Sequence, residues 1–270
     1  MIDRGKKNVL GIRVDALDYE AAVNRIISAA RQRTGFAATA LAVHGIMTGV
    51  LDQNQRYRLN HLDLAVPDGQ PVRWALNWLY QAGLTERVYG PTLMLRVCEV
   101  AARERLPVYF YGSRPEVLKA LVVALKRRFP DPPLPIAGEQ PSRFRAVTPE
   151  EKMAIAHGIR ESGAHITFVG LGCPRQEVWV YEYRRILPMP LVAVGAAFDF
   201  HAGTQPQAPL QLQRAGLEWL YRLAHEPARL WRRYLFLNPL YLALLGLQAA
   251  RLVRFDPERG EPPSEELRVG

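Results

Sequence analysis

Cysteine is nearly absent from these 270 residues: only Cys98 and Cys173 occur, far apart and without the spacing of metal ligands. A disulfide framework is thereby excluded, and a reducing compartment is the expected setting. Long apolar runs are missing as well. The longest unbroken one, Leu240 to Leu247, falls far short of the roughly 20 residues that span a bilayer. Met1 to Lys7 is polar and leads into Val9 to Val14 with no apolar segment behind it, which predicts no signal peptide. Acidic residues are in short supply: 26 Asp and Glu against 35 Lys and Arg leave a formal charge of +9. A balance of that sign calls for an anionic partner, whether nucleic acid, a phospholipid surface or a phosphorylated substrate, and charge alone does not choose among them. Also missing is a complete Gly-x-Gly-x-x-Gly that opens a helix with an acidic residue about 20 positions later, which counts against nicotinamide-dependent redox chemistry.

What is present is a globular composition, 49% apolar, enough for one large domain or one domain with an appendage. The chain is organised around Ile166 to Val178. Ile166 to Val169 is a short run of the kind a buried parallel strand uses, Gly170 and Gly172 punctuate it, and Pro174 suits a first helical turn. Trp179, Tyr183 and Leu187 continue at a spacing of four. Strand, glycine loop and helix in that order either point backbone N–H groups at an anion such as a nucleotide phosphate or make an ordinary tight connection in an α/β protein. Pro107 to Tyr111, Gly112-Ser113-Arg114-Pro115 and a helix to Phe129 repeat the pattern, which indicates successive βα units.

Around these units the spacing predicts further strands at Val9 to Val14, Phe36 to Val43 with Thr39 inside it, Leu62 to Val66 and Leu191 to Val194. Helices are expected after Asp18 to about Arg31, over Pro71 to Tyr80, from Gly90 to about Arg105 and over Pro149 to Ser162. Trp74 and Trp78 share a face of the second of these and read as core or interface rather than as a platform for nucleobases. Pro67-Asp68-Gly69 stops its strand and leaves a carboxylate at the carboxyl end, where ligands of open α/β sheets sit. Asp68 is thus a candidate catalytic group, the alternative being a turn aspartate. Gly195 to Asp199, after the last strand, is built of small residues that let a ligand approach the backbone.

Beyond Gly203 the composition changes. Gln205 to Gln213 is a Pro/Gln-rich connector, and Arg214 to Arg254 holds seven arginines (214, 222, 229, 232, 233, 251, 254) against Glu218 and Glu226. Trp, Tyr and Leu are interleaved with those arginines, and Pro227 and Pro239 divide the segment into short helices. Basic residues toward lipid phosphates and aromatic residues toward the acyl boundary mark an interfacial helix; the alternative is a helical hairpin packed on the domain with a solvated basic face. The expected division is a core over 1–205, basic amphipathic membrane-docking helices over 206–255 and a polar, disordered tail over 256–270.

Taken in order, Pro67-Asp68-Gly69, Val169 to Glu177, Val194 to Gly203, Ala208-Pro209 and Gly216 to Tyr234 resemble the WecG/TagA/CpsF family of bacterial glycosyltransferases, over roughly Val9 to Leu237. The resemblance implies a Rossmann-like α/β fold, a mostly parallel sheet flanked by helices, with a C-terminal appendage that docks on a membrane and helps complete the site. It implies an inverting, metal-independent transfer of a sugar, N-acetylmannosamine-like or another hexose or N-acetylhexosamine. The donor would be a UDP-sugar and the acceptor a polyprenyl-diphosphate-linked glycan, in exopolysaccharide, capsule or cell-wall assembly on the cytoplasmic face of the membrane. An anionic membrane surface is a further implied partner; no cofactor, metal or nucleic acid is expected, and the homo-oligomeric state stays open. The sequence has no Asp-x-Asp to hold a divalent ion, which agrees with that expectation.

By resemblance Asp68 is the catalytic base and Thr39 a sugar or acceptor contact, while Gln176 and Glu177, with the loops at Gly112 and Gly170, hold the nucleotide sugar. Gly69, Gln70, Ser113, Arg114, Gly172, Gly195 and Asp199 complete the expected pocket, and Arg222, Arg229, Arg232 and Arg233 face the acceptor diphosphate. The chain departs from the family pattern at Leu41 and Ala42, and again at Gly90-Pro91-Thr92, all near the expected sugar pocket. His44 is either a substitute polar contact there or a structural histidine. A non-catalytic basic module for membrane or nucleic acid and a nicotinamide-dependent oxidoreductase are the alternative functions.

Overall fold

The computed structural model describes residues 1–270 apart from the side chains of Arg229, Arg232 and Arg233. The chain opens with a two-stranded antiparallel hairpin, β1 (Asp3–Val9) and β2 (Ile12–Leu17). Sequence reading expects one strand over Val9 to Val14; in fact Leu10 and Gly11, at φ +54° and +85°, form the turn there. An apolar Leu at a turn position hides the reversal from any reading based on hydrophobic periodicity. Asp18 then caps α1 (Tyr19–Gln32), its carboxylate accepting the Ala21 N–H.

Six strands make the main sheet: β3 (Phe36–Leu41), β4 (Leu64–Pro67), β5 (Val108–Gly112), β6 (Ile136–Gln140), β7 (Ile166–Gly170) and β8 (Pro190–Ala193). They run in the order β4-β3-β8-β7-β5-β6, and every pairing is parallel. Side chains alternate strictly. Ala37, Tyr109, Tyr111, Val169 and Leu191 point to one layer, and Ala38, Phe110, Phe168 and Val192 to the other. The first layer holds α2 (Val43–Leu51), α3 (Gln53–Asn60), α4 (Gln70–Tyr80), α7 (Pro149–Glu161) and α8 (Arg175–Tyr183); the second holds α1, α5 (Gly90–Arg103), α6 (Pro115–Arg128) and α9 (Ala197–Ala202). Stacked rings of Tyr111, Trp179 and Tyr183, with centroids 4.7 and 4.0 Å apart, fill the first layer.

Edge strand β6 is not foreseen by the sequence reading: it is five residues long, only partly buried, and interrupted by Gly138. At the opposite edge, the N-terminal hairpin covers β4, where the fully buried Asp15 accepts the Ala65 N–H at 2.8 Å and holds Arg25 at 2.9 Å.

Past the sheet come α10 (Leu210–Arg214), α11 (Glu218–His225), α12 (Pro227–Arg232), a π-helical turn at Arg233–Leu237 and α13 (Asn238–Ala249). No described helix is long and apolar enough to cross a membrane. The polar segment 256–270, expected as a disordered tail, instead lies along the core. The Asn60 amide donates to Pro257 O, Lys152 pairs with Glu266, and Val269 bridges to Ala146. Its partners are backbone groups and charges supplied by the folded surface, which composition does not reveal.

Strands β5 and β7 end in glycines that face one another. A methyl group on Gly112, at φ +114°, would lie 2.6 Å from the Gly170 carbonyl oxygen. Gly112→Ala therefore combines a left-handed backbone with a clash against main chain and should lower stability by about 3 kcal/mol or more, read as a drop in the urea midpoint.

Candidate active site

The carboxyl ends of β4, β3, β8, β7 and β5 open into one cleft of about 590 Å³. The sheet order explains its position. From β5 the chain passes through α6 outward to β6, whereas from β7 it passes through α8 the other way to β8, so the connections diverge at the β5–β7 boundary, the kind of place where open α/β sheets bind ligands.

Asp68 stands on the cleft wall, directly after β4. Its backbone N–H donates to Leu41 O at 3.2 Å, which ties the turn to the tip of β3, and its Oδ1 accepts the Gly90 N–H at 3.0 Å. Burial raises its pKa to about 6 from the ordinary 3.8, against the opposing pull of Arg87 and with a further upward push from Glu218. The neighbouring guanidiniums of Arg87 and Arg222 both favour the ionised form. A carboxylate poised there takes up a proton more readily than an exposed one and is still ionised at neutral pH.

Gln176 and Glu177 lie on the first turn of α8, both buried and both lining the cleft floor. Glu177 Oε1 accepts the Thr39 hydroxyl at 2.8 Å and the Gln176 amide at 2.9 Å, and Gln176 Oε1 accepts the Gly195 N–H at 3.0 Å. The chain of bonds runs from the end of β8 across the β7–α8 loop to β3. Burial raises the Glu177 pKa, opposed by its hydrogen bonds to Gln176, Thr39, its own N–H and Cys173. The N-terminus of α8 is therefore occupied in part by its own carboxylate, and the Gln176 N–H is taken by Gly172 O. The glycine loop is less of an open anion cradle than its sequence suggests.

Other expected residues divide cleanly. Gly69, Gln70, Ser113, Arg114, Gly170, Gly172, Gly195 and Asp199 line the cleft, and so does Arg222 from α11. Asp68 and Arg222 thus face the same space. Two of the expected residues are not on the lining. Thr39 is 1% exposed and lies beneath the floor, where its hydroxyl donates to Glu177. Gly112 is absent from the lining; its missing side chain lets β5 approach β7. Arg229, Arg232 and Arg233, expected at an acceptor diphosphate, lie outside the described side chains.

The residues that join α11 to the cleft are not foreseen from the sequence. Arg87 bonds Glu218 of α11 at 2.5 Å with only 11% and 12% of the two side chains exposed, and the Tyr89 hydroxyl donates to the same carboxylate at 3.1 Å. The Arg87 guanidinium also lies 4.1 Å from the Tyr89 ring. Glu218 carried a signal in the sequence, since a carboxylate in an arginine-rich segment implies a cation to meet. Phe144, Trp219, Tyr234 and Asn238 also line the cleft without having been foreseen.

A parallel, doubly wound sheet with a carboxylate and arginines around a cleft at its strand ends defines a Rossmann-like α/β protein whose site suits an anionic ligand. The particular family follows from comparison: the sequence model of the glycosyl transferase WecG/TagA/CpsF family matches residues 7–254, and the chain belongs to that family. It is accordingly a glycosyltransferase of polysaccharide or cell-wall biosynthesis, using in general terms a sugar-nucleotide donor and a lipid-linked acceptor. The oxidoreductase and non-catalytic readings fall away.

Two outcomes follow for stability. Thr39→Val strips a donor from a buried carboxylate and should cost about 2 kcal/mol, most of it recovered by Thr39→Ser, as read by chemical denaturation. For Asp68 the folded pKa exceeds the unfolded one, so both states are protonated below about pH 4 and the folded state bears the full cost of the charge above about 6. Stability should fall as pH rises through that window. Asp68→Asn should stabilise the protein at neutral pH by on the order of 1 kcal/mol, with the gain vanishing in melts at about pH 4.

Proposed function

We propose that the enzyme transfers a hexose or N-acetylhexosamine, N-acetylmannosamine among the candidates, from a UDP-sugar to a polyprenyl-diphosphate-linked glycan with inversion at the anomeric carbon. Asp68 acts as the base. The acceptor hydroxyl oxygen bonds to the anomeric carbon as its proton passes to the Asp68 carboxylate, and the bond from that carbon to the phosphate oxygen breaks with its electron pair leaving on UDP. Arg87 and Arg222 offset the charge that develops on the departing diphosphate. The observation that carries this reading is the Asp68 carboxylate on the wall of the cleft with its pKa at about 6 and two guanidiniums acting on it.

Membrane association at the cytoplasmic face, through the basic helices over 206–255, belongs to the same proposal. It is supported by the exposure of Leu217, Leu220, Leu235 and Phe236 in a segment rich in arginine. Arg229, Arg232 and Arg233 would join Arg222 at the diphosphate of a membrane-embedded acceptor.

Assays with a panel of UDP-sugars and a lipid-diphosphate acceptor test the chemistry. Asp68→Asn should lower kcat by roughly 100-fold or more without a comparable change in donor KM, and the wild-type kcat/KM should fall on the acid side with an apparent pKa of about 6 as the base becomes protonated. Equal turnover by the variant would remove Asp68 from this role.

A further inference from the structure

Helix α4 turns an unusual side to solvent. Val72, Ala75 and Leu76 are buried against the sheet, and the outward positions four residues apart are Trp74 and Trp78, 45% and 63% exposed. A surface helix of a core domain ordinarily places polar groups there. The edge of the Trp74 indole rests against Gly216, just before α11, whereas Trp78 stands one turn farther along α4.

α13 runs beside α4 in the same direction. At one end the Tyr241 hydroxyl donates to Pro71 O at 3.3 Å; at the other the Gln248 amide and the Tyr80 hydroxyl both donate to the carbonyl of Asn8, at 2.9 and 2.6 Å. Of α13 only Tyr241 and Leu245 are buried. Leu240, Leu242 and Leu247 remain exposed, and the helix carries no charged residue. Residues 70–84 and 238–254, which contain both helices, include Arg73, Arg251 and Arg254 and no carboxylate.

We propose that α4 and α13 form a lipid-docking face in which the core itself, through Trp74 and Trp78, enters the interfacial region of an anionic bilayer. The inference rests on the membrane reading given above and extends it from the appendage to the core domain. Tryptophan suits the occupant: an indole keeps its N–H among headgroups while its rings displace water from the acyl boundary. The exposed Arg251 and Arg254, just past the end of α13, complement lipid phosphate. A second copy of the chain is the poorer occupant, because a self-complementary contact would set a surface bearing the exposed Arg251 and Arg254 against itself.

The full-length protein is sedimented with vesicles of phosphatidylcholine mixed with phosphatidylglycerol, alongside Trp78→Glu, Leu242→Glu and Trp78→Phe, each checked by thermal melt. Trp78 and Leu242 lie outside the cleft lining. The two glutamate variants should partition about tenfold more weakly, Trp78→Phe should stay near wild type, and turnover of a short-chain, water-soluble acceptor should be unchanged in all three. Wild-type partitioning by Trp78→Glu would overturn the inference and, with weakened partitioning by Leu242→Glu, leave the helices over 206–255 as the docking element. So would a dimer in analytical ultracentrifugation that Trp78→Glu dissociates without loss of vesicle binding. Failure of the wild-type protein to bind the vesicles would remove the membrane reading itself, a result distinct from either.

Discussion

The floor of the cleft depends on a carboxylate held inside the protein by hydrogen bonds. Glu177 is 1% exposed and takes donors from Thr39, Gln176 and Cys173 rather than from lysine or arginine. Buried carboxyl groups are costly without hydrogen bonds, and both the Thr39 hydroxyl and the Gln176 amide converge on Glu177 Oε1, which draws the end of β3 and the start of α8 together, with Gln176 Oε1 joining the end of β8 through the Gly195 N–H. With that spacing fixed, Leu41 O is in place to receive the Asp68 N–H, and the β4 turn is set on the wall of the same cleft. The position of Asp68 is thus tied to how a neighbouring acid is held.

Charge at the site has a second tier. Asp68 and Glu218 both act on Arg87, one from the sheet and one from the helices that follow it. A buried ion pair adds little net stability when its desolvation is counted, but loss of one partner is expensive. What the Arg87–Glu218 pair supplies is a fixed docking position for α11, and with it the delivery of Arg222 to the cleft. The same carboxylate raises the Asp68 pKa while Arg87 and Arg222 lower it, so the proton affinity of Asp68 is coupled to the seating of α11.

Much of this was legible in the sequence. The βα repeats, the strand-tip position of Asp68 and the first-turn placement of Gln176 and Glu177 follow from periodicity and from proline and glycine punctuation, because local steric rules govern them. Thr39 was recognised as a site residue but not in its relation to Glu177: a threonine inside an apolar strand can face a ligand or a neighbouring side chain, and the partner it meets lies 138 residues away. Arg87 was missed for the same reason, since its partner on α11 comes 131 residues later. Turn and edge elements failed differently. The Leu10–Gly11 reversal is masked by apolar residues on both sides although Asn8 Oδ1 accepts the Gly11 N–H at 2.7 Å within it, and β6 lacks the apolar run that marks a strand and owes its pairing to β5.

The strap formed by 256–270 carries a consequence for the order in which the enzyme becomes complete. It braces the loop after β6 through the Ser142 hydroxyl on Gly270 O and the Val147 N–H on Arg268 O, and that loop presents Phe144 to the cleft. Contacts that close 128 residues of chain form late during synthesis, well after the local βα units have collapsed. A nascent chain therefore carries an assembled sheet with Asp68 at the tip of β4 before one wall of the cleft is in position, and a ribosome paused near residue 255 would hold a folded sheet with an unfinished cleft.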